Sequence, residues 1–125
     1  MNKDICPYLS KRWGKTLHIF DPILRQNYYF VHAKDKDEYH KIVKKEFKVD
    51  LPNKGSGGSF NVISQNDIEI GLLWAKKNDI CNLAHECFHA ISYTLRQRGI
   101  ELSAETDEIY AYHLAFLMRT IREKL

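Results

Sequence analysis

No stretch of this chain approaches the roughly 18 consecutive apolar residues that a membrane-crossing helix needs. Its opening residues, Met1-Asn2-Lys3-Asp4-Ile5-Cys6-Pro7-Tyr8, hold no apolar segment of the kind that leads a secreted protein. Membrane insertion and export are therefore not expected, and the cytoplasm is the expected compartment. Cysteine is scarce and odd in number, three residues at Cys6, Cys81 and Cys87, so no paired disulfide framework is expected. An excess of one charge is also lacking: 19 Lys and Arg against 16 Asp and Glu leave a formal net charge of +3. The lysines of Lys41-Ile42-Val43-Lys44-Lys45-Glu46-Phe47-Lys48 alternate with acids and apolar residues, as on a solvated helix face, and no aromatic ladder interleaves with them. Nucleic acid is accordingly not an expected partner. Lys54-Gly55-Ser56-Gly57-Gly58-Ser59 lacks the order of a phosphate-binding P-loop and reads as a flexible connector.

What is present is enough apolar material for one core. A chain of 125 residues with 44% hydrophobic content supports a single domain over 1–125. Thr16–Phe20 and Tyr28–His32 read as strands, with Asp21-Pro22 marking a turn. Tyr39, Ile42, Val43, Glu46 and Phe47 space a helix over about 35–48, ended near Leu51-Pro52-Asn53. Phe60–Ser64 and Ile68–Trp74 read as a hairpin turning on Asn66-Asp67. Two helices complete the chain. The expected architecture is α+β, with a small antiparallel or mixed sheet packed on the first of these helices and its antiparallel partner. Cys87 is expected in the core, and His18, His32, His40 and His113 have structural explanations first.

The first of the two closing helices carries the chemistry. Ile80, Leu83, Ala84, Cys87, Phe88, Ile91 and Leu95 recur at helical spacing, Asn78 or Asp79 can cap the start, and Gly99 can close the end. In its middle stand His85-Glu86-Cys87-Phe88-His89, an HExxH pentad. Histidines four apart lie one above the other on a helix, so both imidazoles can reach one ion at about 2.0–2.1 Å. Glu86, about 100° around the helix from His85, can serve water beside the ion as a base.

A catalytic zinc usually takes three protein ligands. The residues after His89, Ala90-Ile91-Ser92-Tyr93-Thr94-Leu95-Arg96, supply no third histidine. The following helix, with Ser103 as expected N-cap, offers Glu105, Asp107 and Glu108. Acids at a helix start complement its dipole, and that ordinary explanation is preferred for Glu105 and Asp107. Glu108 travels back farther along an antiparallel helix and is the preferred third ligand, with Glu105 the alternative. Tyr112, one turn beyond Glu108, is a secondary candidate for stabilising an oxyanion, against an ordinary packing role. Cys81 shares a helical face with His85, and packing explains it better than metal binding.

His85-Glu86-Cys87-Phe88-His89-Ala90, followed by Glu105-Thr106-Asp107-Glu108-Ile109-Tyr110-Ala111-Tyr112, resembles the small HExxH metallopeptidase-like proteins of tailed bacteriophages and prophages. The segment over about residues 79–123 carries the resemblance, and Glu108 matches the glutamate of their second helix. It is also similar to repressor-cleaving peptidases of mobile elements, in which a glutamate opening an apolar helix follows HExxH. The resemblance implies a gluzincin-like zincin fold, one Zn2+ per chain on His85, His89 and Glu108, and Glu86 as general base. It implies phage or prophage origin and a protein or peptide substrate, with phage structural or regulatory proteins as possible partners. In that setting the chain would work in the host cytoplasm or associate with the virion. The expected activity is zinc-dependent peptide hydrolysis, with the strand at Ile68–Trp74 pairing an extended substrate. The alternatives are a non-catalytic zinc-binding assembly or virion protein and a regulator directed at a repressor.

Overall fold

The computed structural model describes residues 6–52 and 57–124. The connector expected at 54–59 falls partly outside them; its last two residues, Gly58 and Ser59, open a strand. Five strands, β1 (Leu9–Trp13), β2 (Thr16–Asp21), β3 (Gln26–Val31), β4 (Gly58–Gln65) and β5 (Ile68–Ala75), form one mixed sheet in the order β1-β2-β3-β5-β4. Every pairing is antiparallel except β3 with β5, which run parallel. Three helices, α1 (Lys36–Phe47), α2 (Ile80–Gln97) and α3 (Asp107–Glu123), complete the fold. None among the described residues is long and apolar enough to cross a membrane.

Local sequence explains most of these elements. The β4–β5 hairpin turns on Asn66 and Asp67, whose φ values of 52° and 65° are the left-handed pair that a tight two-residue hairpin requires. Asp21 ends β2 by accepting the N–H groups of Ile23 and Leu24, at 2.9 and 3.1 Å, a local side-chain turn that aspartate favours. In α1, Asp35 caps the start by accepting from Glu38 N, and Lys48 closes the end in the left-handed region. Tyr39, Val43 and Phe47 are its buried stripe.

The sheet is covered on both faces. Alternate residues Val31, Ile63, Ile70, Leu72 and Trp74 pack with α1. Leu17, Ile19, Tyr28, Phe30, Leu73 and Ala75 pack with the apolar side of α2 and with Leu117 and Ile121 of α3. The α+β expectation with a mixed sheet holds, and α1 adds a third layer. Arg98, just past α2, donates to the carbonyl of Leu24, while Arg12 donates to the carbonyl of Lys124, just past α3. The two helices thus end at opposite ends of the sheet, as an antiparallel pair must.

Two expectations need correction, and one strand is new. β5 does not present an edge: β3 and β4 pair on its two sides, and the free edge beside α2 belongs to β4. Position in the sheet depends on a parallel, non-local pairing that no short sequence window encodes. Ser103 does not cap α3. Its N–H donates to the Thr106 hydroxyl within a turn, Thr106 is the N-cap residue, and the helix starts only at Asp107. The strand β1 is additional; all five of its residues are exposed, so it carries no burial pattern to read.

Candidate metal centre

Helix α2 is held in place from both ends. Asp79 caps its start by accepting from Asn82 N at 3.0 Å. At the other end Gly99 takes φ 78°, Gly99 N bonds Arg96 O at 3.0 Å and Ile100 N bonds Leu95 O at 2.9 Å. These two bonds form the Schellman closure that glycine favours. Leu83, Cys87, Ala90, Ile91 and Leu95 are buried against the sheet, and burial lifts the Cys87 thiol to about 12, so it behaves as an inert core residue. His85 and His89 occupy the exposed flank.

The two imidazoles meet as the four-residue spacing predicts. Their Nε2 atoms lie 3.1 Å apart and their ring planes cross at 78°. Two nitrogens, each about 2.05 Å from one tetrahedral ion, would be about 3.3 Å apart, so this pair already has nearly the spacing that zinc requires. Ligand atoms of His85, Glu86 and His89 all lie within 4.8 Å of one another. Glu86 differs from its neighbours in being buried, at 9% exposure. Burial raises its carboxyl above the ordinary value, while the nearby His85 and His89 pull it down, and the net shift is upward. A carboxylate moved toward neutrality is better matched to proton transfer than an exposed one.

The wall against Glu86 is glycine. A Cβ built on Gly58 would sit 2.8 Å from Glu86 Cγ and 3.1 Å from its Oε2, with the Trp74 carbonyl 3.0 Å away. A Cβ on Gly57 would collide with the Asn82 side-chain amide. The glycine pair therefore lets β4 pass close over the first turns of α2. A glycine-rich segment read as a connector gave the only sequence signal for this contact.

Between β4 and α2 runs an open cleft of about 490 Å³, lined by Gly58, Phe60, Glu86, His89, Tyr93 and Arg96 among others. On α2 these positions step by three or four, forming one stripe. Phe60 and Tyr93 face each other with ring centroids 6.1 Å apart. The Tyr93 hydroxyl donates to both carboxylate oxygens of Glu69, at 2.9 and 3.0 Å. Gly57 O accepts from Lys76 N at 3.0 Å, and Gly57 and Lys76 continue the β4–β5 register. Alternation along an antiparallel pair then turns the N–H and C=O groups of Gly58, Phe60, Val62 and Ser64 to the open edge beside the cleft.

The other candidates lie apart in this side-chain arrangement. Glu108 is exposed in the first turn of α3, and Glu105 is exposed in the turn before it; neither joins the set formed by His85, Glu86 and His89. The late start of α3 explains this, because the Ser103–Thr106 turn consumes residues expected to lie within the helix. Tyr112 stacks on Phe116 and lines a separate surface hollow with Ile23 and Ile109. Cys81 is exposed and outside the set. His113 is buried, with Nδ1 2.6 Å from the Tyr8 hydroxyl.

Comparisons with family models, with curated proteins and with solved structures gave no match to this chain.

Proposed function

We propose that the protein is a zinc-dependent metallopeptidase that hydrolyses an extended peptide segment lying along β4. The observation that carries this reading is the pairing of His85 Nε2 with His89 Nε2 at 3.1 Å above the buried carboxyl of Glu86, beside an open cleft. His85 and His89 would hold the ion. The third protein ligand in this reading is Glu108, the acid singled out by the resemblance to phage and prophage HExxH proteins, with Glu105 as the alternative. When bound, zinc supplies Lewis acidity, polarising a carbonyl and lowering the pKa of water toward about 7.

The chain's own groups do the rest. Glu86 accepts a proton from the attacking water and returns it to the leaving amine. Its burial against Gly58 fixes the carboxylate before substrate arrives, so little reorganisation is needed in the reaction. The outward N–H and C=O groups of Phe60 and Val62 hold the substrate backbone as an added strand. Phage or prophage origin, and a substrate among phage structural or regulatory proteins, belong to the same proposal.

One observation favours a second reading, a non-catalytic zinc-binding protein: Glu86 is itself near enough to both histidines to serve as a ligand. Glu86→Gln decides between them. As a base, Glu86 is dispensable for metal, so the variant keeps about one zinc per chain by elemental analysis. Cleavage of a degenerate peptide library then falls about 10²–10⁴-fold. Loss of zinc along with activity would assign Glu86 as a ligand, and equal cleavage by both proteins would remove the hydrolase reading.

A further inference from the structure

The parallel strands β3 and β5 end side by side, and from there the chain departs to opposite faces of the sheet. After β3 it enters α1 on one face; after β5 it enters α2 on the other. Such a divergence opens a crevice beyond the carboxyl ends of the strands, a recurrent ligand position in sheets of this kind. Here the crevice is a hollow of about 610 Å³ lined by Arg12, His32, Lys34, Lys76, Lys77 and Asn78 with the Ala33 backbone. The Trp74 indole donates to Ala33 O at 2.9 Å and fixes one wall.

Four of the lining residues are cations, and none of the four is in an ion pair among the described residues. The acids nearby are held first by other partners. Asp35 and Asp79 cap α1 and α2, and Glu38 takes the Lys34 N–H and the Lys15 ammonium; Asp79 also lies in the field of Lys76, and Glu38 in that of Lys34, without forming an ion pair with either. Arg12 donates to the carbonyls of Gly14 and Lys124, which orient the guanidinium without neutralising it. His32 contributes a different group, since its Nε2 is buried without a hydrogen-bond partner. Burial and then Arg12 push this imidazole down to about 4, so near neutral pH it is an uncharged donor or acceptor. An unpartnered buried polar atom calls for a missing partner.

We propose that this hollow binds the terminal phosphates of a small phosphorylated ligand, with Arg12, Lys34, Lys76 and Lys77 supplying charge and His32 Nε2 a hydrogen bond. Four cations lining one concavity outmatch the single charge of a carboxylate and suit a di- or triphosphate. The volume lies within the range of about 300–1,000 Å³ typical of small-ligand sites. The site is independent of the metal centre, and its test does not require peptidase activity.

The test is calorimetric titration of the whole protein, in chloride buffer at low ionic strength, with inorganic phosphate, pyrophosphate, AMP, ATP and a single-stranded oligonucleotide of about ten residues. We expect one pyrophosphate or ATP per chain, bound about tenfold or more tighter than inorganic phosphate. Lys76→Gln/Lys77→Gln should weaken both about tenfold, the scale of charge-assisted hydrogen bonds. His32→Phe should weaken them less, and His32→Gln should recover part of that loss. His85→Ala/His89→Ala should bind both ligands unchanged. Absence of saturable binding, indifference to the lysine pair, or loss of binding in the histidine double variant would each overturn the assignment. An oligonucleotide binding tighter than ATP would overturn the small-ligand form of it and identify phosphodiester as the source.

Discussion

The cleft along the body of α2 and the hollow at its amino end are two polar concavities built in opposite ways. In the cleft, two exposed imidazoles stand over one buried carboxyl, and all three groups come from one turn and a half of one helix. In the hollow, the charge is cationic and arrives from β1, from the segment after β3 and from the segment before α2. The first would suit a cation and the second an anion. A helix dictates the spacing of its own side chains, so the His85, Glu86 and His89 set needs only α2 to be intact, whereas the proposed third ligand, Glu108, depends on how α3 is placed. The hollow needs the whole sheet, because strand order alone brings Arg12 near Lys76.

The largest effect that would sharpen this contrast is a double dissociation. His85→Ala/His89→Ala should abolish stoichiometric zinc binding, since one remaining carboxylate does not hold the ion, while leaving pyrophosphate binding intact. Lys76→Gln/Lys77→Gln should weaken pyrophosphate binding about tenfold and leave zinc binding intact. Elemental analysis and calorimetry on the same preparations check both arms, and any variant that loses both ligands would show the two concavities to be one coupled site.

A smaller break is aimed at the wall of the cleft. Gly58→Ala places a methyl group within 2.8 Å of Glu86 Cγ and 3.0 Å of the Trp74 carbonyl. The carboxylate or the strand must shift, at a cost of about 1–3 kcal/mol in unfolding free energy. Cleavage should fall at least tenfold as Glu86 moves, with zinc content and pyrophosphate binding retained. Unchanged activity and stability would mean that Glu86 tolerates displacement and is not held by this contact.

The same contrast explains what the sequence revealed. HExxH, the limits of α2, the stripe of α1 and the Asn66-Asp67 hairpin are written in neighbouring residues, and each lies where periodicity and capping placed it. Glu108 required the length of the turn after Gly99, and the Ser103–Thr106 hydrogen bonds that delay α3 are tertiary detail. Gly58 was visible only as a glycine, and why it must be glycine depends on a strand packed over a helix. β5 as an interior strand, and with it the hollow, follow from the pairing of β3 with β5 across about forty residues of intervening chain, including α1 and β4. No local window contains that information.

The smallest effect concerns a buried ionisable group outside both concavities. Asp21 is fully buried at the end of β2, with its Oδ2 3.2 Å from His113 Nδ1. Burial alone would raise its carboxyl, but the His113 side chain, the Leu24 N–H and the Tyr8 hydroxyl outweigh it and hold the group below its ordinary 3.8. A carboxyl depressed in the folded state adds stability that is fully present above the unfolded value and lost as pH falls through the folded one. The stability that Asp21 itself contributes should therefore hold as pH falls to about 4 and be lost below it. Asp21→Asn should cost about 1–3 kcal/mol at pH 7, the range for a disrupted buried hydrogen-bonded group. Its stability should also fall less steeply below pH 4, because one fewer proton is taken up on unfolding there. Denaturant melts at pH 7 and at pH 3 check both signs, and a variant with the wild-type slope below pH 4 would remove Asp21 from the acid response. Zinc and pyrophosphate binding at pH 7 should be unaffected, since Asp21 touches neither the helix turn that holds the histidines nor the basic hollow.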